Sequence, residues 1–123
     1  MENYKIGETE YRFMNIIWDN EPLSSRKLVE LCAEKLGWKK LTTYTTLKKL
    51  SEKGLVRNEN SCVQSIMARE QLQAFRSEQF MENTFSGSLP GFLAAFLGGK
   101  TISEKEAEKL KKLIDSHRRC GNG

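Results

Sequence analysis

Between Gly37 and Arg57 the chain sets six cations, Lys39, Lys40, Lys48, Lys49, Lys53 and Arg57, around four threonines, Thr42, Thr43, Thr45 and Thr46, with Glu52 the one acid. Six less one leaves this segment at +5, in a chain whose formal net charge is +4. Lysines neutralise phosphates and release their counterions, and hydroxyls bond a phosphate or a base edge, so the chemistry on offer is contact with a nucleic acid. Threonine is a mediocre helix former, and a solvated helix more often alternates Glu with Lys; the alternative for this segment by itself is a basic amphipathic helix that is only a soluble face.

Steps of three and four residues put Thr43, Thr46, Leu47 and Leu50 on one inward stripe of a helix. Thr42, Tyr44, Thr45, Lys48 and Lys49 are left outside. From that arrangement Thr42, Tyr44, Thr45 and Lys49 are expected to approach base edges or neighbouring phosphates, while Lys39, Lys40, Lys48 and Arg57 hold the backbone.

Three other elements must position this helix. Gly7 can open a first helix, with Glu10 reaching back to its free amide; Tyr11, Met14, Ile17 and Trp18 follow the helical period, and Asn20-Glu21-Pro22 ends it after Asp19. Ser24 caps a second helix with Leu28, Leu31, Cys32 and Leu36 on its stripe, closed by Gly37 in a left-handed turn. Beyond the third helix, Leu55-Val56-Arg57 and the alternating run from Cys62 to Met67 read as two strands around a turn at residues 58–61. Three helices followed by a strand pair make a winged helix-turn-helix.

From Ala68 the pattern becomes a polar helix with Leu72, Phe75, Gln79 and Phe80 near one face. It is broken by Ser86-Gly87-Ser88-Leu89-Pro90-Gly91, and a short apolar piece follows from Phe92 to Leu97. Ser103 and Glu106 form a capping box for a last helix that aligns Ala107, Leu110, Leu113 and Ile114. These helices have too few residues for a core of their own, so their apolar faces are expected to close against a second copy, the alternative being that they fold back on the first domain. The dimerisation set is Phe80, Phe85, Leu89, Phe92, Leu93, Phe96, Leu97, Leu110, Leu113 and Ile114. A two-fold pair of reading helices suits a palindromic site on double-stranded DNA.

The fold class expected is therefore mainly α with a small β-hairpin. A winged-helix DNA-binding domain occupies residues 1–68, a helical dimerisation region residues 69–117 and a loose tail residues 118–123. At 123 residues the chain can bury a core without staples. Its cysteines, Cys32, Cys62 and Cys120, are odd in number and form no CxxC pair, which fits a reducing interior. The amino terminus lacks the apolar core of a signal peptide and no run approaches 18 apolar residues, so a cytoplasmic protein is expected. An enzyme has little to stand on: the single histidine, His117, lies near the tail, and no phosphate loop or nucleophile with a base at recognisable spacing is present. His117 and Cys120 alone do not make a metal site, and no cofactor is expected. The rival function is a winged helix used for protein association, which salt would distinguish from DNA binding.

The order of these pieces resembles the penicillinase-repressor (BlaI/MecI/CopY) family of bacterial transcriptional repressors. The likeness is carried by Glu10-Tyr11-Arg12-Phe13-Met14-Asn15-Ile16-Ile17-Trp18, by Trp38 with Thr42-Thr43-Tyr44-Thr45 and Leu47-Lys48-Lys49-Leu50, and by Lys53-Gly54-Leu55-Val56. Phe85-Ser86-Gly87-Ser88-Leu89 and the stretch from Ser103 to Ile114 resemble the family's dimerisation region. The resemblance implies a homodimeric repressor on a promoter-proximal palindrome. Its penicillin-responsive branch further implies a membrane sensor protease that cuts an Asn-Phe bond; the matching position here is Ala95-Phe96, with the aromatic kept and the asparagine replaced.

Overall fold

The computed structural model describes residues 4–119, which form six helices and three short strands. In chain order they are α1 (Glu8–Asn20), β1 (Leu23–Ser24), α2 (Ser25–Leu36), α3 (Lys40–Glu52), β2 (Val56–Glu59), β3 (Cys62–Ser65), α4 (Arg69–Phe85), α5 (Leu89–Leu97) and α6 (Glu104–Ser116). The chain divides into two compact units, one running to Phe80 and the other starting at Met81. Among the described residues no helix is long and apolar enough to cross a membrane.

The first unit is a winged helix. Its start follows the expected capping, with the Gly7 amide donating to Glu10 Oε1 at 3.0 Å. The core contains Phe13, Met14, Ile17, Leu28, Cys32, Leu50, Leu55, Val63 and Leu72, all without exposed surface. On α1 the buried set is Phe13, Met14, Ile16 and Ile17; Tyr11 and Trp18, expected inside, are half-buried. Their rings are roofed by cations from α4, with the Arg76 guanidinium 4.3 Å from the Tyr11 ring and that of Arg69 5.2 Å from Trp18. Amphipathic rings can stay at the boundary when a planar cation covers them.

The first half of α4 belongs to this unit because it is tied along α1. Arg69 donates to Asn15 Oδ1 at 3.2 Å and Asp19 Oδ1 at 2.6 Å, and Arg76 donates to the Ile6 carbonyl at 3.3 Å and Glu8 Oε1 at 3.1 Å. Leu72 is fully buried between these anchors. Phe75 meets Tyr4 edge to face at 6.1 Å.

The expected hairpin is part of a three-stranded antiparallel sheet in the order β1-β3-β2. The additional strand has only two residues, too short for any periodicity. It forms because Leu23 must enter the core on the way into α2, which sets its backbone opposite Val63. The strand ends also differ from expectation. Leu55 precedes β2, and its carbonyl accepts the amides of Ile66 at 2.8 Å and Met67 at 3.3 Å, closing the ladder beyond Ser65. The turn is two residues long, Asn60 and Ser61, both at positive φ (53° and 60°), as in the mirror-image turns that match strand twist. Glu21 fastens the base of the wing, its carboxylate accepting from the Ser65 amide at 2.6 Å and hydroxyl at 3.0 Å.

In the second unit α5 starts at Leu89 rather than Phe92. Pro90 falls in the first turn, where its missing N–H is no loss, and the Ser88 hydroxyl accepts the Gly91 amide at 2.9 Å. A Cβ on Gly91 would meet that hydroxyl at 2.9 Å, so the residue read as a breaker serves the cap. Phe85 packs edge to face on Phe92 at 5.5 Å, and Phe92 stacks with Phe96 at 5.9 Å. Ser103 caps α6 by accepting the Glu106 amide at 3.0 Å. Neither α5 nor α6 contains a buried residue.

Candidate nucleic-acid interface

Gly37 and Trp38 set the pose of α3. Gly37 lies in the left-handed region at φ +68° and its amide returns to the Ala33 carbonyl at 3.1 Å, while the Trp38 amide reaches the Cys32 carbonyl at 3.2 Å. This closing pair ends α2 and turns the chain without exposing orphan carbonyls. Trp38 then stacks on Phe13 at 5.5 Å, fixing the entry of α3 against α1.

Behind that anchor Thr43, Leu47 and Leu50 are buried, as the spacing predicts; Thr46 is half-buried at the edge of the stripe. Thr43 Oγ1 donates to the Lys39 carbonyl at 3.3 Å, which satisfies a buried hydroxyl inside the helix. Beside it, burial pushes the Cys32 thiol up to about 11, against the lowering effect of its hydrogen bond with Thr43. Cys32 is therefore a small core residue, and Cys62, on β3, is the exposed thiol among the described residues.

Lys39, Lys40, Thr42, Thr45, Lys48 and Arg57 all have exposed side chains. The first five lie on α3 or at its entry; Arg57 lies on β2, opposite Gln64. Tyr44 and Lys49, expected on the same outer face, each have a partner in the first unit. Tyr44 is half-buried toward α2, its hydroxyl 3.4 Å from Ser25 Oγ, because a phenol at the edge of the stripe gains by resting its ring on the core. Lys49 is turned toward α1, with Nζ 2.6 Å from Glu10 Oε2. Burial raises the Glu10 pKa, yet the hydrogen bonds from Lys49 and the Gly7 amide, with the charges of Lys49 and Lys53, outweigh it and hold the carboxyl below its ordinary 4.5. Lys53 is likewise held, donating to the Lys5 carbonyl at 2.7 Å. Lys49 and Lys53, toward the C-terminal end of α3, thus brace the helix, while Lys48 and the N-terminal half stay open.

Sequence reasoning passed over three residues. Arg26 and Ser25, at the start of α2, share a cleft of about 550 Å³ with Lys40, Tyr44 and Ser61, adding a guanidinium to the face beside α3. Leu41 is 77 % exposed on α3 itself. The available signals were the Ser24-Ser25-Arg26 helix start and the position of Leu41 four residues before Thr45. Among the described residues no cluster of three or more His, Cys, Asp or Glu could hold a metal ion; Cys120 lies outside them. In the second unit Ala95 and Phe96 are exposed in the last turn of α5. There Lys100 Nζ caps the Phe96 carbonyl at 2.9 Å.

Fold and site together define a winged-helix protein whose third helix is buried on one side and offers hydroxyls and ammonium groups on the other. The family model described as Penicillinase repressor matches residues 6–116, and the chain belongs to that family, whose members are transcriptional repressors. It is similar to the methicillin resistance regulatory protein MecI of Staphylococcus aureus (strain Mu50 / ATCC 700699), 24 % identical over 118 residues that span 93 % of this chain and 96 % of the relative. MecI of Mammaliicoccus sciuri and of Staphylococcus epidermidis are each 23 % identical over the same shares.

Proposed function

We propose that the protein represses transcription as a homodimer, each copy placing the N-terminal half of α3 in the major groove of one half of a palindromic operator. The observation that carries this reading is the two-sidedness of α3: Thr43, Leu47 and Leu50 fix it in the core, and Lys39, Lys40, Thr42, Thr45 and Lys48 are exposed opposite or at the entry. Phosphates are assigned to Lys39, Lys40, Lys48 and Arg57, helped by the positive end of the α3 dipole, and base edges to Thr42 and Thr45. Tyr44 and Lys49, pinned to Ser25 and Glu10, act as positioning residues. The second unit supplies the dimer contact, since Leu89, Phe96, Leu113 and Ile114 are each more than half exposed and belong in an apolar interface. The proposed division is a DNA-reading domain of residues 1–68, a dimerisation region within residues 69–117, whose part up to Phe80 packs with the first unit, and a tail of residues 118–123.

Footprinting the full-length protein across its own upstream region tests the proposal. A protected palindrome with two half-sites about one helical turn apart supports it, and uniform or absent protection overturns it. The exposed Leu41 is the one feature that favours the rival, a protein-docking winged helix; binding to a partner through it would be nearly indifferent to salt. A membrane sensor protease acting at Ala95-Phe96, the trigger suggested by the family's penicillin-responsive branch, would first have to open the capped last turn of α5.

A further inference from the structure

Leu41, Thr45, Lys48 and Glu52 follow one another at steps of four, three and four residues, so they form one line along α3. That line lies opposite the buried Thr43, Leu47 and Leu50, and it is the part of the helix that stands furthest from the core. Thr42 and Lys49 flank it on one side and Tyr44 on the other. The centre of the reading face is therefore headed by a leucine that is 77 % exposed.

An exposed leucine between Lys40, Thr42 and Thr45 is out of keeping with the polar surface around it. It can donate and accept nothing, so against a base edge it can only exchange water for another apolar group. In the major groove that group is the C5 methyl of thymine. The surrounding charge selects the occupant: Lys39, Lys40 and Lys48 favour a polyanion over a neutral protein surface. The other end of the line points the same way, because the Glu52 carboxylate would be repelled by phosphate, tilting the N-terminal turns of α3 inward. Helices of this class contact bases with their N-terminal residues, and Leu41 is the second residue of α3.

We infer that Leu41 is a specificity-determining residue that reads the methyl group of a thymine in each half-site, with Thr45 presenting its own methyl and hydroxyl one turn further on. This inference rests on the DNA-binding reading above. The energy comes from burying about one methyl group against the leucine side chain, worth roughly a fourfold change in affinity.

The test begins with a duplex selected from a random library by the full-length protein. In labelled copies of that duplex each thymine is replaced singly by deoxyuridine, which removes only the methyl, and binding of wild type and Leu41→Ala is measured by anisotropy at one salt concentration. One replacement per half-site should weaken wild type about fourfold and leave Leu41→Ala unchanged, while Leu41→Ala binds the unmodified duplex several-fold more weakly. The exposed position predicts an unchanged melting temperature for Leu41→Ala, and Leu41→Gln should move the selected base from thymine to adenine. If no deoxyuridine replacement separates the two proteins, or if Leu41→Ala binds the unmodified duplex as wild type does, the thymine contact is wrong although DNA reading stands. If wild type selects no sequence at all, the DNA-binding reading fails and this inference with it.

Discussion

The two units of the chain solve the burial problem in opposite ways. The first covers its apolar residues from within: α1, α2, α3, the wing and the start of α4 leave nine or more side chains with no exposed surface. The second leaves Leu113 at 57 % and Ile114 at 51 % exposure, with no buried residue on α5 or α6. On the proposed reading the first unit holds its reading side chains on a closed core, and the second keeps its apolar surface for another copy.

Mutations should separate these behaviours. Phe13→Ala removes a fully buried ring on which Trp38 stacks and is expected to lower stability by about 3–5 kcal/mol in denaturant unfolding. Phe96→Ala should cost the isolated protomer under about 1 kcal/mol; a comparable loss would mean that the second unit has a core of its own. The double change Leu113→Asp with Ile114→Asp should convert a dimer to a monomer in sedimentation while leaving the first unit folded, and weaken operator binding on the order of 100-fold through lost bivalency. An unchanged sedimentation coefficient would remove α6 from the interface. Lys48→Ala should weaken binding to all sequences by a similar amount and reduce the slope of log K against log salt by about two, one phosphate contact for each copy.

The smallest expected effect concerns pH. Glu10 has its pKa lowered in the folded protein, so its contribution is present above its ordinary 4.5 and is lost as the pH falls through the lower folded value. Glu10→Gln should therefore cost about 1 kcal/mol or less near neutrality, since Lys49 is half exposed and solvent screens the pair. The variant's stability should fall less steeply than wild type's over roughly pH 5 to 3. Parallel curves would show that the Lys49 contact contributes nothing.

Much of this was legible in the residues. The caps at Gly7, Ser24 and Ser103 and the turn at Gly37 carry local signals, because in each the backbone groups are satisfied by a side chain or a conformation within a few residues, and those helix ends lie where expected. The inward stripe of α3 was legible in its period. Contacts between elements were not. Nothing near Lys49 in sequence indicates that Glu10, far earlier in the chain, would claim its ammonium, and nothing near Tyr44 points to Ser25. β1 was invisible for the same reason: two residues become a strand only when β3 is beside them. Leu41 was missed because an apolar residue on an outward face fits neither the core pattern nor the polar one.

The central claim is that the open half of α3 meets DNA as one of a two-fold pair. It is tested most directly by measuring affinity for a full palindrome and for a single half-site as salt is raised. A steep linear fall of log K with log salt is expected for both duplexes, with the palindrome bound far more tightly at every concentration. Binding that ignores salt, or that is equal for the two duplexes, would contradict it.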